Sequence, residues 1–343
     1  METQFVSVQG YLHSGSGAVN DLLREYSNVT VLSHSGDCGT GQEATSSTGE
    51  IVFLRVMPWF VLRDALDDGD LWRQDNLIKC FIAAFYRHLH TASTSNFYRD
   101  DPVTLSPEFR AFIHNFICDI LELPPEEKTW LQQHPEYVFP VTRPQATALP
   151  FSFIGKTYCH YTLREDLTRK ALDELLRQAF NGILEIYRKH CAQGNSLIVC
   201  DQLLSGYSVE SLSPYLPHLK QIIVFRDIRD HYLWLLKSVN PGVFSILNAS
   251  AFIDWVRALK IGQLAPTSSR LCLRFEELLY DYDNTVYRIE RFLDLAPAWH
   301  VRRGQYLIPE LSRRNCRLYR RYPDQSLIRR LEEAFPELCY FSD

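Results

Sequence analysis

The residues with the clearest chemical potential lie near the start of the chain. Gly10, His13, Ser14, Gly15, Ser16, Gly17 and Ala18 follow an apolar–polar alternation over residues 5–8, and a helical pattern with Leu22 and Leu23 on one face follows them. A strand, a run of small residues and a helix start together make an oxyanion cradle. Glycines let the backbone curl so that successive N–H groups point inward, and the helix N-terminus adds partial positive charge. An ordinary strand-to-helix turn is the plainer reading of the same stretch. Gly10 and Gly15 have the glycine spacing of a nucleotide-binding Walker loop, but Ser16 and Gly17 stand where that motif has Lys and Ser or Thr. The loop therefore suits a phosphate-like anion better than a magnesium nucleotide.

An anion loop needs a sheet to carry it, and the chain has the elements for one. Apolar runs at 29–32, 50–56, 196–200, 221–225 and 271–275 read as strands, separated by helical patterns. Continuous apolar strands between helices indicate a parallel sheet covered on both faces. In such sheets ligands sit at the carboxyl ends of strands, so residues 13–17, Asp201 and residues 226–230 are expected to converge. Helices are expected at 60–66, 76–90, 107–123, 126–132, 163–190, 249–261 and 283–293. The block 60–156 reads as a helical insertion, or cap, within one domain spanning 1–343. The Gly-, Ser- and Thr-rich stretch 33–49 reads as a loop carrying His34, Asp37 and Glu43, each readable as a solvated polar residue. His88 and His90 lack the i, i+4 spacing that would share a metal on a helix.

Whole-chain numbers narrow the function. The chain has 343 residues and a net charge of −5, so nothing global points to nucleic acid or an anionic membrane. Its nine cysteines contain no C-x-x-C pair and are odd in number, which argues for reduced thiols rather than a disulfide framework. Neither a leader-like start nor a bilayer-length apolar window is visible, and a cytoplasmic location is expected. Beyond residue 300 arginine is dense; a solvated helical face explains much of it, and Arg313 and Arg314 offer a phosphate clamp.

Three signals occur in order: the loop 10–23, the strand end Arg226-Asp-Ile-Arg-Asp230, and Leu273-Arg-Phe-Glu-Glu-Leu278 followed by residues 285–293. This series resembles the sulfotransferase family that uses 3′-phosphoadenylyl sulfate (PAPS). Val199-Cys-Asp-Gln202 and residues 309–315 are similar to a bacterial branch of it. The resemblance implies a P-loop-like α/β fold, a three-layer sandwich with a central parallel sheet. It also implies PAPS as donor, adenosine 3′,5′-bisphosphate (PAP) as product and no required metal.

On the same resemblance, His13, Ser14, Gly15, Ser16, Gly17 and Ala18 would hold the 5′-phosphosulfate, and Arg226 would hold the 3′-phosphate. Read from its residue type alone, Arg226 could equally form an ion pair with an acid such as Asp230. Asp227 and Asp230 are expected to hold arginines and cap the next helix. His13 stands where the family has Lys or Arg, and Trp234 where it has a phosphate-binding serine. Ser238, one helical turn later, with Arg313 or Arg314, would replace that contact. For the base that deprotonates the acceptor, Glu50 comes first, then Asp201 and His34, and His13 would donate to the leaving phosphate when protonated.

The reading is thus a sulfotransferase acting on a hydroxyl or amine of a carbohydrate or small-metabolite acceptor. Neither nucleic acid nor membrane insertion is expected, and assembly as a homo-oligomer is left open. The alternatives are a nucleotide kinase or NTPase with a degenerate loop, and a non-catalytic binding module of the same fold.

Overall fold

The computed structural model describes residues 3–32, 53–94, 103, 106–133, 161–192, 194–204, 206, 208–238 and 248–341. The chain divides into two compact units, Val52–Cys191 and the remainder. Among the described residues no helix is long and apolar enough to cross a membrane.

In chain order the elements are β1 (Gln4–Gly10), α1 (Ser16–Arg24), β2 (Val29–Leu32), α2 (Phe53–Val56), α3 (Phe60–Asp67), α4 (Leu71–Thr94) and α5 (Pro107–Ile120). Next come α6 (Pro125–Gln133), α7 (Arg169–Cys191), β3 (Leu197–Asp201), α8 (Val209–Leu212), β4 (Lys220–Phe225), α9 (Ile228–Ser238), α10 (Ala249–Ala258) and β5 (Arg270–Arg274). The chain continues through α11 (Phe275–Tyr280), α12 (Tyr282–Leu293), α13 (Pro309–Ser312) and α14 (Gln325–Ala334).

The fold is α/β. Its five strands form one parallel sheet in the order β2-β3-β1-β4-β5. On one face Val6, Val8, Val199, Ile222, Val224 and Leu273 pack with Val19, Leu22 and Leu23 of α1 and with Leu278, Leu279, Val286 and Ile289 of α11 and α12. Each such fully buried side chain contributes about 1.5–3 kcal/mol relative to exposure. The other face is also covered: Gln221 Nε2 donates to Ser213 Oγ at 2.8 Å, and the Cys272 thiol donates to the Leu264 carbonyl at 3.3 Å.

Strand β1 lies in the middle, and this explains its pattern. Its polar Ser7 and Gln9 are fully buried, and Ser7 Oγ donates to Gln9 Oε1 at 2.9 Å. The alternation over 5–8 therefore reflects one apolar and one polar buried face, not a face in water.

The Val52–Cys191 unit is helical and built on aromatics. Trp59 packs on Phe180 at 4.7 Å, and Phe53 meets Phe109 edge-on at 5.0 Å. The strand expected at 50–56 is not one where it is described: Phe53–Val56 is α2. Phe53 and Leu54 are adjacent and both fully buried, which a half-buried strand cannot achieve; the aromatic cluster overrides the β propensity of the segment.

Caps account for two further differences. Helix α7 starts at Arg169 rather than at residue 163 because Thr168 Oγ1 accepts the Ala171 N–H at 3.2 Å, while Leu163 bridges Leu121. Helix α4 starts at Leu71 rather than at 76 because Asp70 Oδ1 accepts the Trp72 N–H at 2.9 Å.

Candidate functional site: an anion loop at the carboxyl edge of the sheet

Gly10 ends β1, and the chain turns at once. Ser14 Oγ accepts the Tyr11 N–H at 2.9 Å and donates to the Val224 carbonyl at 2.8 Å, which ties the loop to β4. A Cβ on Gly10 would stand 2.0 Å from that oxygen. The Ser14 hydroxyl is thus buried and spent on the loop's own shape. His13 and Gly15 both have positive φ, 63° and 99°, and Gly15 is the N-cap of α1 with no side chain to cap it. Nothing among the described residues replaces the missing cap. Among the described residues the N–H groups of Ser14, Gly15, Ser16 and Gly17 have no protein acceptor. Successive free amides at a helix N-terminus form a concave oxyanion receptor.

Neighbouring strands bring other polar groups to the same edge. β3 and β4 flank β1, with Val8 level with Asp201 and Gly10 level with Val224. Gln202 N–H donates to the Val8 carbonyl and Gln202 Nε2 donates to Ser16 Oγ, each at 2.8 Å. Asp201 ends β3 and is half-buried. Convergence of residues 13–17, Asp201 and residue 226 at one sheet edge is therefore a feature of the fold.

Arg226 lies beneath this loop rather than in it. It is 5% exposed; Nη1 donates to the His13 carbonyl at 3.3 Å and Nη2 to the Asn315 carbonyl. Its guanidinium sits 5.2 Å from the Phe275 ring centroid and 5.5 Å from that of Trp234. Trp234, where the resemblance implies a serine, is an aromatic partner of Arg226. His231 is fully buried with Nε2 2.5 Å from the Leu12 carbonyl, and burial pushes its pKa down to about 3, so it is a neutral donor bracing the loop. The exposed His13 side chain has a lowered pKa, by desolvation at the loop and then by the Arg226 charge, and it is neutral at pH 7.

The acids that follow Arg226 serve structure. Asp227 Oδ1 accepts the Arg229 N–H at 2.9 Å, capping α9, and the same carboxylate takes the Arg229 guanidinium and the Tyr340 N–H. Asp230 accepts the N–H groups of Arg317 and Tyr319. Burial raises the Asp230 pKa to about 6, with the nearby Asp227 charge adding to the effect. Glu276 Oε1 accepts the Asp227 N–H at 3.0 Å, while Oε2 has no partner among the described residues; burial raises this carboxyl to about 7.

Of the remaining candidates, Arg313 is engaged by the Leu279 carbonyl through Nε at 2.9 Å and Nη2 at 2.7 Å. Arg314 is exposed beside it. Ser238 is the last residue of α9, and its side chain lies outside the described residues, as do Glu50 and His34. Gln202 stands in the sequence reading only as the end of the motif 199–202, with no role in the site, and His231 does not figure in it. Only the place of Gln202, directly after an apolar strand, could have marked it.

No protein-family model and no curated protein matches this chain. Among solved structures it is similar to the sulfotransferase domain of the Synechococcus PCC 7002 olefin synthase, at 13% identity and a TM-score of 0.40, over 100% of this chain and 97% of that one. Sulfotransferase STF1 from Mycobacterium tuberculosis H37Rv is similar at 14% identity and a TM-score of 0.37, over 92% and 76% of the two chains. Sulfotransferase STF9 from Mycobacterium avium follows at 12% and 0.35, over 98% and 76%. Likeness this distant leaves the function to be argued from the chain's own residues.

Proposed function

We propose that the loop 13–18 binds the phosphosulfate of PAPS and that the chain transfers the sulfuryl group to a hydroxyl or amine of a small-molecule or carbohydrate acceptor. The observation that carries this reading is the row of four main-chain N–H groups at the start of α1 that have no protein acceptor among the described residues. Sulfuryl transfer, like phosphoryl transfer, asks for positioning and for stabilisation of charge on the leaving group, which fixed amides supply. Ser16 and Gly17 stand where a magnesium-nucleotide loop has its lysine and the hydroxyl that follows it.

In this reading the acceptor oxygen or nitrogen bonds to sulfur as the sulfur–oxygen bond to the phosphate breaks. The bisphosphate leaves onto the loop amides, and the acceptor proton passes to a base, with Glu50 first and Asp201 and His34 after it. Arg226 acts from behind the loop as a fixed charge. With Arg313 occupied, the 3′-phosphate falls to Arg314, with Ser238 at the end of α9.

The test is calorimetry of adenosine 3′,5′-bisphosphate, beside MgATP, against wild type and Gly17→Leu. A Cβ at Gly17 meets nothing within 4 Å, so leucine there adds bulk beside the loop amides without a clash at its first carbon. Bisphosphate binding that Gly17→Leu abolishes supports the reading and justifies an acceptor screen. Preference for MgATP would point to a kinase, and binding of neither to a non-catalytic module.

A further inference from the structure

The hydroxyl of Ser16 stands at the first position of α1, within the row of unpartnered amides. Serine has one proton to donate and two lone pairs that accept. Gln202 Nε2 fills one lone pair from 2.8 Å, and no protein acceptor for the Ser16 proton exists among the described residues. A hydroxyl that accepts from the amide keeps its proton for another acceptor, and Ser16 belongs to the run of residues whose N–H groups are unpartnered.

Gln202 is held where it must be for this. It has φ of 51°, a left-handed conformation uncommon for a residue other than glycine. Its main-chain N–H is fixed on the Val8 carbonyl at 2.8 Å. Such strain costs about 1–3 kcal/mol and is commonly kept where geometry serves a site. The turn at Gln202 follows the last residue of β3, and from it the side chain reaches Ser16 at the start of α1.

We infer that Gln202 is a positioning residue of the anion loop: its amide fixes the Ser16 hydroxyl as a further donor to the bound anion. This rests on the reading of the loop as an anion receptor. It predicts that Gln202 matters to binding only through Ser16.

The experiment is a double-mutant cycle read by calorimetry with adenosine 3′,5′-bisphosphate, using Ser16→Ala, Gln202→Gly and the pair, with thermal midpoints measured alongside. Glycine relieves the positive φ at 202, so Gln202→Gly is expected to keep or raise the midpoint. Ser16→Ala should weaken binding about tenfold, the loss of one hydrogen bond to a charged group. Gln202→Gly should weaken it about three- to tenfold, and the double variant should bind no worse than Ser16→Ala alone. Fully additive losses, or a Gln202→Gly protein that binds as wild type does, overturn the inference while leaving the loop a receptor. A wild-type protein without affinity for the bisphosphate removes the receptor, and the inference with it.

Discussion

Two loops leave adjacent parallel strands at the same edge of the sheet and use polar groups in opposite ways. After β1, residues 11–17 carry two titratable side chains, Tyr11 and His13, and no acid, lysine or arginine, yet they leave a row of main-chain donors with no protein acceptor among the described residues. After β4, residues 226–230 carry two arginines and two aspartates and place them in contacts within the protein: Asp227 on Arg229 and Tyr340, Asp230 on the chain at 317 and 319, Arg226 on two carbonyls. The charged segment braces the protein internally, and the neutral one keeps its main-chain donors open among the described residues. Charge density in a sequence marks what will be costly to bury; what remains unpaired after folding marks where a ligand can be held.

The largest separation between these roles should come from Asp227→Ala. Asp227 and Arg229 are each about 1% exposed, and removing one partner of a buried, hydrogen-bonded ion pair costs about 3–5 kcal/mol. Urea unfolding should show that loss. A variant as stable as wild type would mean that Glu332 and the Tyr319 ring, 3.6 Å from the Arg229 guanidinium carbon, suffice for the arginine. Gly15→Ala comes next. Its Cβ would lie 2.5 Å from the Phe275 ring at a φ of 99°, so backbone strain and overpacking together should cost about 2–4 kcal/mol.

The brace should also give the protein a pH signature. Burial raises the folded Glu276 carboxyl from 4.5 to about 7, so the folded state binds more protons than the unfolded chain between those values. Stability contributed by this group is then full below pH 4.5 and falls as pH rises through 7, by on the order of 3 kcal/mol. Glu276→Gln should flatten that slope in denaturation series across the same window. An unchanged slope would assign the pH dependence to other groups.

Much of this architecture was legible before folding. The apolar runs at 196–200 and 221–225 fixed two strands to within a residue, because both faces of a parallel sheet are buried and the run has no polar break. The glycines and small residues of 10–17 marked the loop because only they permit its turn. What the pattern could not show was direction. Ser14 points into β4 and Ser16 toward Gln202, although the two serines are chemically identical and separated by one glycine. Arg226 has the composition of a ligand clamp, and the pattern did not show that the rings of Phe275 and Trp234 enclose it. The segment 50–56 has strand-forming residues, and Phe53–Val56 is a helix because long-range aromatic contacts decide it.

The smallest expected effect is also the sharpest test of the contrast, because it should carry opposite signs in two measurements. Gly10 and Gly15 are glycine for reasons internal to the protein: side chains there would strike Ser14 and Phe275. Gly17 has no such reason. It lies inside α1, its φ is not positive, and a Cβ there meets open space. Alanine should therefore be the better residue for the helix, by up to about 1 kcal/mol. If an anion is drawn onto the amides of α1, the same methyl group stands in its approach and lowers affinity for the bisphosphate by a few fold. Gly17→Ala should thus unfold at a slightly higher temperature and bind more weakly. Higher stability with unchanged affinity would place the anion away from Gly17, confining the receptor to the amides of Ser14, Gly15 and Ser16.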